Sequence, residues 1–170
     1  MAATFAFIEY NATAGDTTDI TAGNLNLGSN NSANLAPSTY PITAGTYSYS
    51  KWFRGYWSGT FTRIENLQLW MSSSGTGYVS GESLKCSAST ATYGGTTTFT
   101  TPTTNLDAKA SVVMPTADPG AANLGFTGSL SASLTATGYS DFIVIQASIT
   151  SAASAGATQT KQFRLQYDEV

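Results

Sequence analysis

Apolar side chains recur at every second position in segment after segment of this chain, and no stretch repeats them at the three- and four-residue spacing of a helix. A two-residue period puts alternate side chains on opposite faces, so each such segment is expected to be a β-strand with one buried face. Phe5-Ala6-Phe7-Ile8-Glu9-Tyr10 opens the series, and the turn-forming residues from Asn11 to Asp19 end it. Leu25 and Leu27 alternate within Gly23 to Gly28, which predicts a second, short strand before the loop that runs from Ser29 to Pro37. From Thr46, Tyr47, Tyr49 and Lys51 point one way and Ser48, Ser50 and Trp52 the other, until Gly55 is expected to interrupt the ladder. Leu67, Leu69 and Met71 then share a face opposite Gln68 and Trp70, and Ser72 to Gly77 reads as a turn between two antiparallel strands.

Further strands are predicted at Ser83 to Thr90, Thr96 to Thr101 and Ala108 to Met114, each bounded by Gly or Pro. Pro115 to Gly120 must be a loop, because two prolines and a glycine break any ladder. Asp141 to Ile149 carries an unbroken apolar run, the mark of a central strand covered on both faces. Phe163, Leu165 and Tyr167 alternate with Arg164, Gln166 and Asp168 in the last strand. Nine or ten short strands without a helix predict an all-β fold. The expected form is a single antiparallel β-sandwich, the jelly roll being one arrangement it allows.

The 170 residues suffice for one hydrophobic core and are short for two, so residues 1–170 are read as one domain. Charged residues make up 10% of the chain, against roughly 25% in an average protein, and Thr, Ser, Ala, Gly and Asn take their place. The net charge of −3 argues against a nucleic-acid partner, whose phosphates call for Lys and Arg. Absence of histidine removes Ser-His-Asp and Cys-His catalysis and every His-ligated metal site. The single cysteine, Cys86, has no intrachain disulfide partner and no imidazole to activate it, so it reads as a small buried apolar residue. The longest strongly apolar run, Phe142 to Ile145, is far shorter than a bilayer crossing, and no secretory signal opens the chain, so no membrane association is expected.

Glu9, Glu65, Glu82 and Glu169 fall in unrelated strands, and nothing pairs them into an acid and a base. Asp16-Thr17-Thr18-Asp19 lacks the D-x-D-x-D-G series of a calcium loop and reads as a turn. No catalytic residue, cofactor or metal site is therefore assigned. Asn11-Ala12-Thr13 and Asn30-Asn31-Ser32 match the glycosylation sequon only as chance matches in a chain rich in Asn, Ser and Thr. The aromatic set Tyr47, Tyr49, Trp52, Phe53, Tyr56, Trp57 and Trp70 is first of all core material. Exposed members would instead make a sugar-stacking platform or a protein interface, with Arg54 beside them.

Two stretches carry a resemblance: Phe53-Arg54-Gly55-Tyr56-Trp57-Ser58-Gly59-Thr60-Phe61 with its continuation to Trp70, and Tyr139-Ser140-Asp141-Phe142-Ile143-Val144-Ile145-Gln146 followed by Ala155-Gly156 and Phe163 to Glu169. They resemble small virion structural proteins of tailed bacteriophages, in which such strands close a β-sandwich. The resemblance implies a non-enzymatic capsid decoration or cement protein, a homo-oligomer bound to the major capsid protein or other virion proteins. Its place would then be the virion, assembled in the host cytoplasm. A carbohydrate-binding or fibre-like β-sandwich using Trp52, Trp57 or Trp70, and a tail or neck component, are the alternatives. The residues singled out for interaction are Arg54, Tyr56 and Trp57, and Tyr167, Asp168 and Glu169, whose strand is available to a neighbour.

Overall fold

A computed structural model describes residues 2–12, 17–72, 78–87, 98–102, 105, 110–153 and 160–170. Among them the ordered elements are strands, with no helix and hence none long and apolar enough to cross a membrane. They are β1 (Ala3–Glu9), β2 (Thr18–Asp19), β3 (Lys51–Gly59), β4 (Ile64–Ser72), β5 (Glu82–Ser87), β6 (Ala110–Val113), β7 (Gly138–Tyr139), β8 (Ile143–Ile149) and β9 (Gln162–Glu169). A 7-stranded sheet runs β2-β1-β3-β8-β5-β6, with β7 added to β3, and a 2-stranded sheet pairs β4 with β9. Every pairing is antiparallel.

The two sheets form a sandwich-like, all-β fold whose shared core follows from the alternation. Phe53, Trp57, Leu84, Cys86, Ile143 and Ile145 come from the large sheet, and Ile64, Leu67, Leu69 and Met71 from the small one. A second cluster of Tyr10, Trp52, Ala110, Phe142 and Val144 lies on the other face of the large sheet, with Phe99 packed against it. Strand β8 therefore buries both faces, Ile143 and Ile145 into one cluster and Val144 into the other, as its apolar run requires.

Strand β4 changes parity on the way. Ile64 and Leu67 both point inward though three residues apart, which a regular strand forbids. A bulge between Glu65 and Gln68 supplies the extra residue, and Asn66 takes the left-handed conformation there, at φ 55. Along its other edge, β4 is covered by the 115–124 loop. Met71 N–H donates to the Pro115 carbonyl at 2.8 Å, and the Asn123 side chain stands in for a strand, accepting from Leu69 N–H at 2.7 Å and donating to Leu69 O at 2.8 Å.

Four expectations are corrected. Gly23 to Gly28 is not a strand: Leu25 and Leu27 pack half-buried on the core from a loop that Asn26 fastens by donating to the Leu35 carbonyl at 2.8 Å. Gly28 serves that loop by its lack of a side chain, since a Cβ would meet Leu35 Cδ2 at 2.2 Å and the Tyr40 carbonyl oxygen at 2.5 Å. Gly55 does not interrupt β3; the Trp57 ring folds over it, and a Cβ there would lie 2.6 Å from Trp57 Cη2. Of Thr96 to Thr101, residues 98–101 form no ladder, because Phe99 turns onto Trp52 and Phe142 instead, while Thr96 and Thr97 lie outside the described residues. The strands flanking Ser72 to Gly77 are not hairpin partners, for β4 pairs with β9 and β5 with β6 and β8; residues 73–77 themselves lie outside the described set. So do Asp16, residues 88–90 and residues 108–109 at the margins of other predicted segments. Asp19 falls in β2, where Oδ1 accepts from Thr21 N–H at 2.8 Å and Oγ1 at 2.6 Å, bonds that hold its carboxyl below the usual aspartate range.

Candidate interaction surface

Strand parity sorts the singled-out residues before any distance is measured. Phe53, Gly55 and Trp57 face the sandwich interior, so Arg54 and Tyr56 must face outward. Strand β7 sets Tyr139 opposite Tyr56, with ring centroids 4.7 Å apart. Between them and the second cluster lies Arg54, its guanidinium carbon 4.1 Å from the Tyr139 ring centre, 4.4 Å from that of Phe142 and 4.5 Å from that of Tyr10. Such cation–π contacts strengthen as water is excluded. Arg54 Nη2 also donates to the Tyr10 hydroxyl at 2.7 Å, and burial raises the Tyr10 pKa against that cation. Tyr139 remains 38% exposed, so the patch presents one ring to solvent over a cation already enclosed by aromatics.

Below Arg54, Asp141 is 2% exposed. Both of its carboxylate oxygens accept from Gly128 N–H, at 3.0 and 2.9 Å, which ties the 126–129 turn to the sheet. Burial pushes its pKa up to about 6, against the lowering influence of the Gly128 bond and of Arg54. Burial with a specific charge partner is an arrangement that functional sites and structural networks share. Here the bonds are those of a brace.

Trp57 lies on the opposite face and is 0% exposed, so it belongs to the core, as does Trp52 at 0%. Neither ring offers a stacking platform; Trp70 is half-buried on β4. The structure does bring Trp57 and Tyr167 together, edge to face across the sandwich at 5.4 Å, and Tyr167 stands 6.0 Å from Phe5. Asp168 is exposed and accepts from Asn66 Nδ2 at 2.6 Å. Exposed Glu169 reaches β1, its Oε1 accepting from Ala3 N–H at 2.9 Å.

Beside Tyr167 the sandwich is open. A groove of about 570 Å³ is lined by Phe5 and Phe7 of β1, Trp70 of β4, and Phe163 to Tyr167 of β9. The β9 main chain forms one wall. Leu69 and Met71, opposite Leu165 and Phe163, bond away from β9, so those are non-hydrogen-bonded pairs of the ladder. The N–H and C=O groups of Phe163, Leu165 and, by the same parity, Tyr167 consequently face the groove. None has a partner among the described residues.

The interior holds a charge pair that no local pattern announced. Lys51 and Glu9, 42 positions apart, meet at 2.6 Å with both side chains 0% exposed, and Lys51 also donates to the Ser32 carbonyl. Desolvation lowers the Lys51 pKa against the pull of Glu9. Cys86 is buried, its thiol donating to the Val112 carbonyl at 3.2 Å. Asn11 is 1% exposed and bonded to Asn31 and the Ser50 carbonyl, so in the fold its side-chain amide is taken up by structure. Among the described residues no group of His, Cys, Asp and Glu could hold a metal ion. No family model, no curated protein and no solved structure matches the chain.

Proposed function

We propose that this chain is a non-enzymatic virion structural protein, a decoration or cement protein that binds the major capsid protein and stabilises a phage head as a symmetric homo-oligomer. The observation that supports this reading is the disposition of charge. Lys51 and Lys161 are paired with Glu9 and Glu82 at nearly buried side chains, Arg63 pairs with Glu65 at the surface, and Arg54 is enclosed by rings. What remains outside is a weakly charged surface rich in Thr, Ser and Asn. Such a surface can pack on a shell in many copies without leaving unpaired charges buried. Each contact is modest, and symmetry multiplies it.

Stabilisation follows by mass action, because a ligand that binds only the assembled shell shifts the equilibrium away from its loss. Shells stripped of this protein should bind it back, and the refilled shells should melt at a higher temperature. Failure of both refutes the proposal. Failure of both with a tryptophan fluorescence shift on cell-surface polysaccharide would favour the carbohydrate-binding alternative, with half-buried Trp70 as the responding ring.

A further inference from the structure

We infer that β9 pairs with β9 of a second copy of this chain, antiparallel about a two-fold axis through Gln166, so that the two small sheets join in the order β4-β9-β9-β4. The main chain decides which registers are open. Leu165 and, by parity, Tyr167 turn their N–H and C=O groups away from β4 into the groove, and neither group has a partner among the described residues. Edge strands are ordinarily closed to such pairing by proline, lysine or a bulge of their own. Residues 163–167 contain no proline and no lysine, and the bulge of this ladder lies on β4. A residue that bonds outward must oppose another that does so, and one copy can therefore slide along the other only in steps of two residues.

Charge selects one of those registers. Arg164 and Asp168 lie exposed on the outer face of β9, four positions apart and opposite in sign, and Arg164 has no ion-pair partner among the described residues. Only the register centred on Gln166 sets Arg164 of each copy directly opposite Asp168 of the other, once on either side of the axis. Both pairs fall at non-hydrogen-bonded positions, where opposing side chains come closest. In the same register Leu165 and Tyr167 of the two copies exchange main-chain hydrogen bonds in both directions, and Gln166 meets its own counterpart, an amide that both donates and accepts. Sliding one copy by two residues either way puts Gln166 opposite Arg164 or Asp168 and breaks both charge pairs. On the inner face Phe163, Leu165 and Tyr167, packed on the core yet half-buried, gain the same three residues of the copy as neighbours. This strand therefore matches its own reverse, the condition for a two-fold interface, and that commits the edge to a second copy. The interface specifies the homo-oligomer of the proposed function and rests on that part of the reading alone.

Sedimentation equilibrium of the whole protein, from micromolar to millimolar concentration, should show monomer passing to dimer. Amide hydrogen exchange, read by NMR, should slow at Leu165 and Tyr167 as the dimer forms. Arg164→Gln, at an exposed position, should raise the dimer dissociation constant by about 2- to 30-fold, the range for losing a cross-strand charge pair on both sides of the axis. Exchanging the charges, Arg164→Asp with Asp168→Arg, should bring the constant back toward that of the parent, which a variant that merely loosens the fold would not do. A monomer at millimolar concentration overturns the inference, as does an odd-numbered oligomer, since edge pairing of this kind closes in twos. So does a dimer whose Leu165 and Tyr167 amides exchange as fast as in the monomer, or one indifferent to Arg164→Gln. A dimer that fails the stripped-shell experiment overturns the capsid reading and leaves this interface standing; a monomer that refills the shell does the reverse.

Discussion

Asp141 offers a quantitative test of how the outer face is built. Its carboxyl is nearly buried, and its pKa is raised from 3.8 to about 6, with burial the largest cause. A folded-state pKa above the unfolded value means that the folded chain holds the proton more tightly. Its contribution to stability is then fully present below about pH 4 and lost as pH rises through about 6. The two pKa values correspond to a change of up to about 3 kcal/mol, a visible part of the roughly 5–15 kcal/mol that holds a typical domain. Other carboxylates slope the opposite way, Asp19 among them, since its pKa is lowered. The comparison is therefore between the protein and its Asp141→Asn variant, in urea unfolding from pH 4 to pH 7. The amide keeps the shape and an acceptor for Gly128 but no titrating proton. Relative to the unsubstituted chain, the variant should gain up to about 3 kcal/mol across that interval. A flat difference would refute the role of burial, and a difference of opposite slope would show that Arg54 and Gly128 dominate and keep the carboxylate ionised.

Lys51→Met should cost about 3–5 kcal/mol in urea unfolding by stranding Glu9, and adding Glu9→Leu should restore most of it; equal losses in the single and double variants would contradict this. At the β4 bulge, Asn66→Gly should leave the melting temperature nearly unchanged, while Asn66→Ala should cost about 1 kcal/mol for its left-handed backbone. Leu69→Ala, at a fully buried side chain, should cost about 2–5 kcal/mol, measured the same way. Gly125→Ala should destabilise more than its single methyl suggests, because the new Cβ would stand 2.1 Å from the Ser129 carbonyl oxygen; a melting temperature within experimental error of the parent would disprove the contact.

Much of the sandwich was legible because local alternation and burial coincide. The unbroken apolar run at Ile143 to Ile145 needs cover on both faces and has it, and the faces of β4 and β9 fall as their leucines and aromatics dictate. The Gly23 to Gly28 reading failed because alternation cannot separate a strand from a loop pressed onto a core. Leu25 and Leu27 bury themselves without a ladder, held through Asn26. Of the candidate residues, Arg54 and Tyr56 share a face because they are two apart, and the same rule puts Trp57 on the other one. What no spacing could supply was the company they keep. Tyr139 and Tyr10 reach Arg54 through the pairings of β7 and β1 with β3, and the open groove exists because β9 overlooks β1, relations fixed by long-range register.

The pairing of β4 with β9 also sets an order of events. Asn66 and Asp168, joined across that ladder, are 102 positions apart, so the strand carrying Leu67, Leu69 and Met71 is synthesised long before its ladder partner. At ribosomal rates of about 5–20 residues per second, that interval lasts roughly 5–20 seconds. In that window the inward face of β4 has only non-ladder contacts to shield it, while Gln68 and Ser72 place polar side chains beside Trp70 on its other face. The groove wall is completed in the same closing step.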